Sequence, residues 1–395
     1  MGTIPIGIPK NIDKYFYNRN SELVRLKSLI DTLNDDVSNQ ILLTGNRGVG
    51  KSFLLKKFIS TVPNNILTAY IDISKILAMQ KGELTEEKVL YEILEEMNKS
   101  LKSQGNEFKK IHITLKNLVS KIKNQDYDFK GGGSIFSIPI PEITTNYERL
   151  SQFVMDFPQN IVDSSNGKIK GFVIIFDEFQ FLSKLNSTEA FFWLIRSHVL
   201  NQDNVTYIFT GSTSTTSEMV DKLNGIEGAF GTRMAQFNIY PFSKETTKNY
   251  LNEKISDIKF DEEGFNRFYK CTRGYPSLIN SFTNIMDKDI VYTEEEVINE
   301  FFTKLDQIAV NWIILWSTLS KNEKDIVTTI VENESIKWKE LIEKLDFSQN
   351  TFTKNIKKLK NKAIISHLNS TYKVEDYMLL AWLKHRKDID GFYPL

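Results

Sequence analysis

The stretch that decides the fold is Gly45-Asn46-Arg47-Gly48-Val49-Gly50-Lys51-Ser52. It matches the pattern GxxxxGK[ST], in which glycines let backbone N–H groups converge on a phosphate. The apolar run Gln40–Thr44 before it predicts a buried strand, and the spacing of apolar residues in Lys51–Ile59 predicts a helix. Strand, glycine-rich loop and helix in this order are the context in which the pattern binds a nucleotide. We therefore predict a nucleotide site here, rather than a plain glycine-rich turn.

Each residue of this loop has an expected role. The loop residues from Gly45 to Ser52, together with Phe53, are candidates for nucleotide contact. The Lys51 ammonium would reach the β- and γ-phosphates of ATP, and the Ser52 hydroxyl would bind Mg²⁺.

A phosphate loop also needs an acid that holds the metal, and two acids follow another buried strand. Phe172–Phe176 is a continuous apolar run, typical of a parallel strand that is buried on both faces. Asp177 comes directly after it and would hold the Mg²⁺ shell through water, with Ser52 as the other metal-site residue. Glu178 would polarise the attacking water. The alternative is that both acids end a strand and face solvent.

Four further residues are candidates for sensing or stabilising the γ-phosphate. The strand predicted at Val205–Phe209 is followed by polar residues, of which Ser212 or Thr210 could face the phosphate. Arg233 could contact the nucleotide of its own or a neighbouring subunit, and Arg196 is a rival for this role. An ordinary polar turn and surface ion pairs are the alternatives.

The remaining pattern predicts a doubly wound α/β core with two smaller parts after it. Ala69–Ile73 and Gln236–Tyr240 supply further strands that alternate with helices. The expected divisions are a core at 1–242 with an insertion at about 102–150, a helical lid at 243–317, and a last domain at 318–395. Within the insertion we expect Gly131–Gly133 to be a flexible turn and Ser134–Ile140 to form a hairpin or an edge strand.

The last domain has the pattern of a winged helix-turn-helix. Three helices and a small ribbon are predicted, at Ser320–Val331, at Trp338–Leu345, after the cap Ser348, and at Ile364–Val374.

The third of these helices carries basic residues on one face. Lys354, Lys357 and Lys358 lie opposite its apolar stripe, and such a face can neutralise phosphates of double-stranded DNA in a major groove. Gln349 and Asn350 at the helix start are the candidates for contact with bases. The alternative is a solvated lysine face on a domain that binds protein.

Composition excludes several other classes. Fifty basic residues balance fifty acidic ones, so any nucleic-acid contact must come from a local patch. One cysteine, Cys271, and four scattered histidines offer no zinc-ligand spacing. Neither a signal peptide nor a stretch long enough to span a bilayer is evident, which leads us to expect a cytoplasmic protein without membrane contact.

In the order of its motifs the chain resembles the archaeal-type ATPase family, P-loop proteins allied to STAND signalling NTPases and to origin-recognition AAA+ ATPases. The motifs are Tyr15–Leu23, the phosphate loop, Phe176–Gln180, Gly211-Ser212, Gly231-Thr232-Arg233, Tyr240–Ser243 and Gly274-Tyr275-Pro276. The resemblance implies that Asn18, Arg19 and Pro276 contact the adenine side of the nucleotide. It also makes Arg273, beside the Gly-Tyr-Pro turn, a third candidate for the sensing arginine.

Together these observations predict a Mg-ATP-binding and ATP-hydrolysing molecular switch. The C-terminal winged helix would communicate the nucleotide state to a partner, which in the first interpretation is DNA. In the alternative, a STAND-like signalling or defence switch, the same domain binds a protein partner. A trans-acting arginine would require a homo-oligomer.

Overall fold

The computed structural model describes residues 7–103, 147–345, 347–362, 364–368 and 370–394. The predicted glycine turn and the hairpin of the insertion lie outside these ranges. Five parallel strands form the central sheet in the order β2-β3-β4-β1-β5. They are β1 (Ile41–Gly45), β2 (Ile66–Asp72), β3 (Gly171–Asp177), β4 (Val205–Ser212) and β5 (Ala235–Ile239).

Helices cover both faces of this sheet, which is why its central strands β1, β3 and β4 are buried along their whole length. Alternate residues of a strand point to opposite faces, and in β3 Ile174 enters one apolar core while Ile175 enters the other. The helices of this part are Ile12–Tyr15, Asn20–Asp31, Lys51–Ile59, Ile73–Met79, Glu86–Ser103, Tyr147–Ser164, Thr188–Val199 and Thr213–Asn224, with short 3-10 turns at Thr32–Asp35 and Phe179–Lys184. The predicted α/β P-loop fold is confirmed.

A helical region follows the sheet. Its helices are Lys244–Lys254, Glu262–Thr272, Pro276–Thr283, Glu294–Thr303, Leu305–Ile308 and Val310–Ser317. Besides the helices that the sequence predicts for this region, the structure has two short strands that pair in parallel, β6 (Lys259–Phe260) and β7 (Val291–Tyr292). Two residues per strand are too few to show an alternating pattern in the sequence.

The C-terminal part is a winged helix. Its elements are helices Lys321–Asn333, Trp338–Glu343, Gln349–Asn361 and Tyr377–Asp390 and strands β8 (Ile336–Lys337), β9 (Ile365–Leu368) and β10 (Thr371–Val374). The strands form an antiparallel sheet in the order β8-β10-β9. A capping box between Ser320 and Glu323 begins the first helix, and the Ser348 hydroxyl accepts the N–H of Thr351 at the start of the third.

The helical region and the winged helix share one apolar core. Buried side chains from Phe242 to Leu383 form a single cluster that includes both parts. Trp316 and Trp382 meet edge to face at 6.3 Å between ring centroids, and the Trp382 indole N–H donates to Asp306 at 2.8 Å. In the described ranges, no helix has both the length and the apolar character needed to cross a membrane.

Candidate nucleotide site

The carboxyl ends of three neighbouring strands bring the predicted site residues to one edge of the sheet. Gly45 at the end of β1 is in register with Ser212 of β4. Thr210 of β4 is in register with Asp177 at the end of β3. The strand that carries both candidate sensors therefore lies between the phosphate loop and the acid.

The phosphate loop needs its glycines for two physical reasons. Gly45, Gly48 and Gly50 have φ angles of +157°, +84° and +96°, a region that side chains with a Cβ rarely adopt. A Cβ on Gly48 would lie 2.1 Å from the Ser277 Oγ, and a Cβ on Gly45 would lie 2.5 Å from the carbonyl oxygen of Ile239. The loop is thus a narrow backbone cradle that leads into the N-terminus of helix Lys51–Ile59, where an anion is favoured.

Lys51 is held inside this cradle. Only 6% of Lys51 is exposed, and its Nζ donates to the carbonyl oxygens of Gly45 at 2.7 Å and Asn46 at 3.2 Å. Burial lowers the pKa of Lys51, while the charges of Glu178 and Asp177 act in the opposite direction. The lysine and both acids thus belong to one electrostatic site.

Asp177 and Glu178 are held by different partners. Asp177 is 3% exposed, its Oδ2 accepts the Tyr70 hydroxyl, and its Oδ1 accepts the Glu178 N–H at 3.0 Å. Glu178 has a left-handed φ of +55°, and its carboxylate accepts the side-chain N–H of Gln180. Burial, and then the charge of Asp177, raise the pKa of Glu178. The alternative of two solvent-facing acids does not fit this burial.

The two candidate sensors are both buried. Thr210 is fully buried, and within the described residues its Oγ1 has no hydrogen-bond partner. Ser212 is 7% exposed and precedes helix Thr213–Asn224. A buried hydroxyl without a partner costs free energy, so Thr210 is the more unusual of the two positions.

A cavity of about 340 Å³ opens beside the loop, within the range of about 300–1,000 Å³ for small-molecule sites. Its loop side is formed by residues Arg47 to Leu54 and Glu178. Its aromatic end is lined by the rings of Phe16, Tyr17, Phe242 and Tyr250 and by Pro276. The rings of Tyr17, Phe242 and Tyr250 contact one another. A polar end beside an apolar, ring-lined end suits a phosphorylated aromatic base.

Of the three residues predicted on the adenine side, Arg19 and Pro276 line the cavity and Asn18 does not. Arg19 lines the cavity and donates to the carbonyl oxygens of Tyr240 at 2.6 Å and Val49 at 3.2 Å. It therefore ties the phosphate loop to the chain that leaves β5. Asn18 is not among the lining residues, because its side chain donates to the Thr246 hydroxyl at 3.0 Å.

Sequence reasoning missed several residues of the aromatic end. Phe16 and Tyr17 lie within the quoted motif Tyr15–Leu23, and Phe242 lies within Tyr240–Ser243, so a signal was present. Tyr250 and Asn280 carried no such signal, because they come from two helices that only the fold brings together. The Tyr250 hydroxyl donates to the Asn280 side-chain oxygen at 2.8 Å.

None of the three candidate arginines faces this site in its own chain. Arg233 is exposed and precedes β5, whose first residue is in register with the first residue of β1. It therefore lies at the opposite edge of the sheet, about 13 Å away at about 3.3 Å per residue. Contact with its own nucleotide does not fit this position. Arg196 stacks over Phe230 at 5.7 Å, near Arg233.

Arg273 contacts the winged helix and not the nucleotide site. It has a left-handed φ of +49° after helix Glu262–Thr272, and its guanidinium lies 4.1 Å from the centroid of the Tyr377 ring. The Tyr377 hydroxyl also donates to the carbonyl oxygen of Cys271. Both contacts join the helical region to the winged helix.

The lysine face of helix Gln349–Asn361 is exposed as expected. Lys354, Lys357 and Lys358 are all exposed, as are Gln349 and Asn350, while Phe352 and Leu359 are fully buried on the opposite face. The same helix packs against helix Thr213–Asn224 of the core.

A family model described as an ATPase domain predominantly from Archaea matches residues 16–282, more than half of the chain. The chain belongs to this family. The matched residues contain the phosphate loop, both acids and the Gly-Tyr-Pro turn. None of the proteins of curated function matches the chain.

Solved structures share the fold of this chain. A Walker-type ATPase of Pyrococcus abyssi has a TM-score of 0.60 at 17% identity, over 93% of this chain and 96% of that one. The ORC2 protein of Aeropyrum pernix, in ADPNP–ADP complexes, has a TM-score of 0.50 at 12% identity, over 97% of both chains. At these identities the likeness concerns the fold.

Proposed function

We propose that this ATPase-family chain is a Mg-ATP-binding, ATP-hydrolysing molecular switch whose winged helix binds double-stranded DNA. The observation that carries the proposal is that the strand ends bring the glycine cradle with its buried Lys51, and the acids Asp177 and Glu178, to one edge of the sheet. Lys51 and Glu178 line the same cavity there. Membership of an ATPase family supports the same reading.

The residues fit the parts that phosphoryl transfer needs. The amides of the loop and Lys51 would bind the β- and γ-phosphates, and Ser52 and Asp177 would hold Mg²⁺, which neutralises phosphate charge when bound. Glu178 would accept a proton from the water that attacks the γ-phosphorus. The new O–P bond forms as the bond to the ADP oxygen breaks, which yields ADP and phosphate. Thr210 or Ser212 would donate a hydrogen bond to the γ-phosphate.

Direct contacts support the switch. The Asn46 side chain donates to the Tyr275 hydroxyl at 2.8 Å, and the Ser277 N–H donates to the carbonyl oxygen of Gly48 at 3.2 Å. The helical region therefore touches the loop itself. Since Arg273 stacks on Tyr377, the same turn reaches the winged helix. Loss of the γ-phosphate would therefore change the contacts of the helical region and, through it, the position of the winged helix.

The test of the enzyme is phosphate release from ATP by wild type and by Lys51→Ala, with and without duplex DNA. We expect turnover in wild type, stimulation by duplex, and loss of both in the variant. Calorimetry that detects no binding of ATP and Mg²⁺ to wild type would overturn the proposal.

The test of the partner is the salt dependence of duplex binding. Each lysine that contacts a phosphate contributes roughly 0.9 to the slope of log K against log salt. Lys354→Glu, Lys357→Glu and Lys358→Glu combined should therefore weaken binding and flatten the slope. Lys168→Glu, Lys184→Glu and Lys259→Glu, equally exposed positions outside the winged helix, form the matched control.

A protein-binding switch of the STAND kind is the second candidate. The packing of helix Gln349–Asn361 on helix Thr213–Asn224 favours it, since the helix then already serves as a protein-contact surface. Duplex binding that the lysine triple variant leaves unchanged would favour this reading over the first.

Arg233 is proposed to act in trans, since it lies across the sheet from its own loop. An Arg233→Ala variant should then turn over slowly. Mixing it with Lys51→Ala, whose own site is inactive but whose arginine is intact, should restore part of the activity. Normal turnover by Arg233→Ala alone would remove the arginine from the mechanism.

A further inference from the structure

We propose that Tyr70 is a positioning residue that fixes the Asp177 carboxylate relative to Ser52, so that the two can share one divalent cation. The inference rests on the proposed function, because it assigns the metal to Ser52 and Asp177. Tyr70 belongs to none of the sequence motifs. It lies on β2, the strand beside β3.

The hydrogen bonds at Asp177 define the orientation of its carboxylate. The Tyr70 hydroxyl donates to Oδ2, and the Glu178 backbone N–H donates to Oδ1 at 3.0 Å. The backbone donor is adjacent in the chain and is present for any side chain at position 178. Tyr70 is therefore the side chain that sets the rotation of the carboxylate about its Cβ–Cγ bond.

Tyr70 is itself placed by the helix that begins in the phosphate loop. The Lys56 Nζ lies 3.5 Å from the centroid of the Tyr70 ring. Lys56 is four residues beyond Ser52 on helix Lys51–Ile59, so both side chains lie on the same helix face. Through its ring Tyr70 contacts the element that carries Ser52, and through its hydroxyl it contacts Asp177.

Tyr70 thus contacts both helix Lys51–Ile59 and β3, the two elements whose side chains would bind one cation. Ser52 and Asp177 come from different elements, and a metal with octahedral demands tolerates little error in the position of its ligands. Partners that orient metal ligands typically contribute about tenfold to a hundredfold in metal affinity or activity. A hydroxyl bound to a carboxylate, on a ring held by the neighbouring helix, is such a partner.

The test is Tyr70→Phe in the full chain, which keeps the ring and its contact with Lys56 and removes only the hydroxyl. ATP turnover is measured against Mg²⁺ concentration at saturating ATP. Binding of Mn²⁺ in the presence of ADP is measured by electron paramagnetic resonance. We expect the half-saturating Mg²⁺ and the Mn²⁺ dissociation constant to rise on the order of tenfold. Turnover should recover at high Mg²⁺, and ADP affinity without metal should not change.

Tyr207→Phe is the matched control. Tyr207 is a fully buried tyrosine on β4 whose hydroxyl donates to the Gln202 side-chain oxygen at 3.1 Å, away from the site. A general loss of packing or stability would appear in both variants, whereas a metal effect should appear only in Tyr70→Phe. In an Asp177→Asn background, Tyr70→Phe should change Mn²⁺ binding no further.

The outcomes separate this inference from the proposed function. A wild-type Mg²⁺ requirement in Tyr70→Phe, or a loss of turnover that Mg²⁺ does not relieve, would overturn the positioning role while wild-type turnover stands. Absence of turnover in wild type itself would instead remove the proposed function.

Discussion

The phosphate loop and helix Gln349–Asn361 both stand out in the sequence, but the structure gives them different character. In the loop, function depends on backbone that is so closely surrounded that a Cβ on Gly48 would lie 2.1 Å from the Ser277 Oγ. On the helix, the basic side chains are exposed to solvent, so each can be substituted without disturbing the packing. A site of converging backbone should fail at a single position, whereas a charged face should weaken by degrees.

The strongest way to break this contrast is Gly48→Ala. The new Cβ would meet the Ser277 Oγ at 2.1 Å, and the φ of +84° adds backbone strain, typically about 1–3 kcal/mol. We expect ADP affinity, measured by calorimetry, to fall by roughly tenfold to a hundredfold.

Gly50→Ala is its control, because Gly50 has a similar φ of +96° but no atom within 4 Å of a Cβ. It should suffer the strain alone. Adding Ser277→Ala to Gly48→Ala removes the closest atom and should restore part of the affinity. Equal losses in Gly48→Ala and Gly50→Ala would show that packing against the helical region contributes nothing.

The graded behaviour of the lysine face is tested by single changes. Lys354→Gln, Lys357→Gln and Lys358→Gln should each weaken duplex binding by a few-fold and reduce the salt slope by roughly 0.9. Affinity is measured by fluorescence anisotropy between roughly 50 and 200 mM salt. A single lysine that abolished binding alone would contradict the contrast.

A smaller effect is expected at the contact between the phosphate loop and the Gly-Tyr-Pro turn, through which the loop would influence the winged helix. Tyr275→Phe removes the bond from the Asn46 side chain, about 0.5–1.5 kcal/mol for a neutral hydrogen bond. The change in duplex affinity caused by ADP should shrink by about twofold to tenfold, while binding without nucleotide stays the same.

Tyr292→Phe is the control for this prediction. The Tyr292 hydroxyl also accepts a hydrogen bond, from the Asp287 N–H at 2.8 Å, but lies apart from the loop. If both variants behave alike, Tyr275 is not part of the coupling.

The smallest expected effect concerns the stability of the winged helix. Burial acts to raise the pKa of Glu323, but hydrogen bonds from Ser320 and the charges of Lys362 and Lys358 outweigh it and lower the pKa. A carboxyl group whose pKa is lowered in the folded state stabilises that state at any pH above its pKa in the unfolded chain, about 4.3. This contribution to stability is lost as the pH falls through the pKa of the folded state.

Glu323→Gln keeps the capping box and removes the charge. The thermal midpoint should fall by about 1–3 °C at neutral pH, and the difference from wild type should vanish in acid. Glu296→Gln, in the similar capping box of Thr293, serves as the control and should change the midpoint less. A difference that grows in acid would contradict the assigned sign.

The fold was predictable because its signals are local. Four strands of the sheet are mostly apolar, and β5 alternates apolar and polar residues. The phosphate-loop pattern also predicts the strand before it and the helix after it. The short pair β6 and β7 could not be predicted, since two residues carry no period. The site was predictable where one segment supplies it, as at Lys51. It was not where separate elements meet, as at Tyr70.

The positions of the arginines show the same limit. Arg233 is prominent in sequence because it precedes the last strand, but only the register of β5 with β1 reveals which edge of the sheet it occupies. Tyr250 and Asn280 meet only through the packing of two helices. Contacts of this kind join residues that are far apart in the sequence, and local sequence patterns do not indicate them.

The common core of the helical region and the winged helix makes them a single packed unit. The Gly-Tyr-Pro turn of this unit contacts the phosphate loop, and its C-terminal part carries the exposed lysines. A fragment that starts at residue 318 would uncover the face of Trp382 on which Trp316 rests and would be prone to aggregate. Cutting the chain near residue 243 instead should release a folded piece that keeps its interior intact.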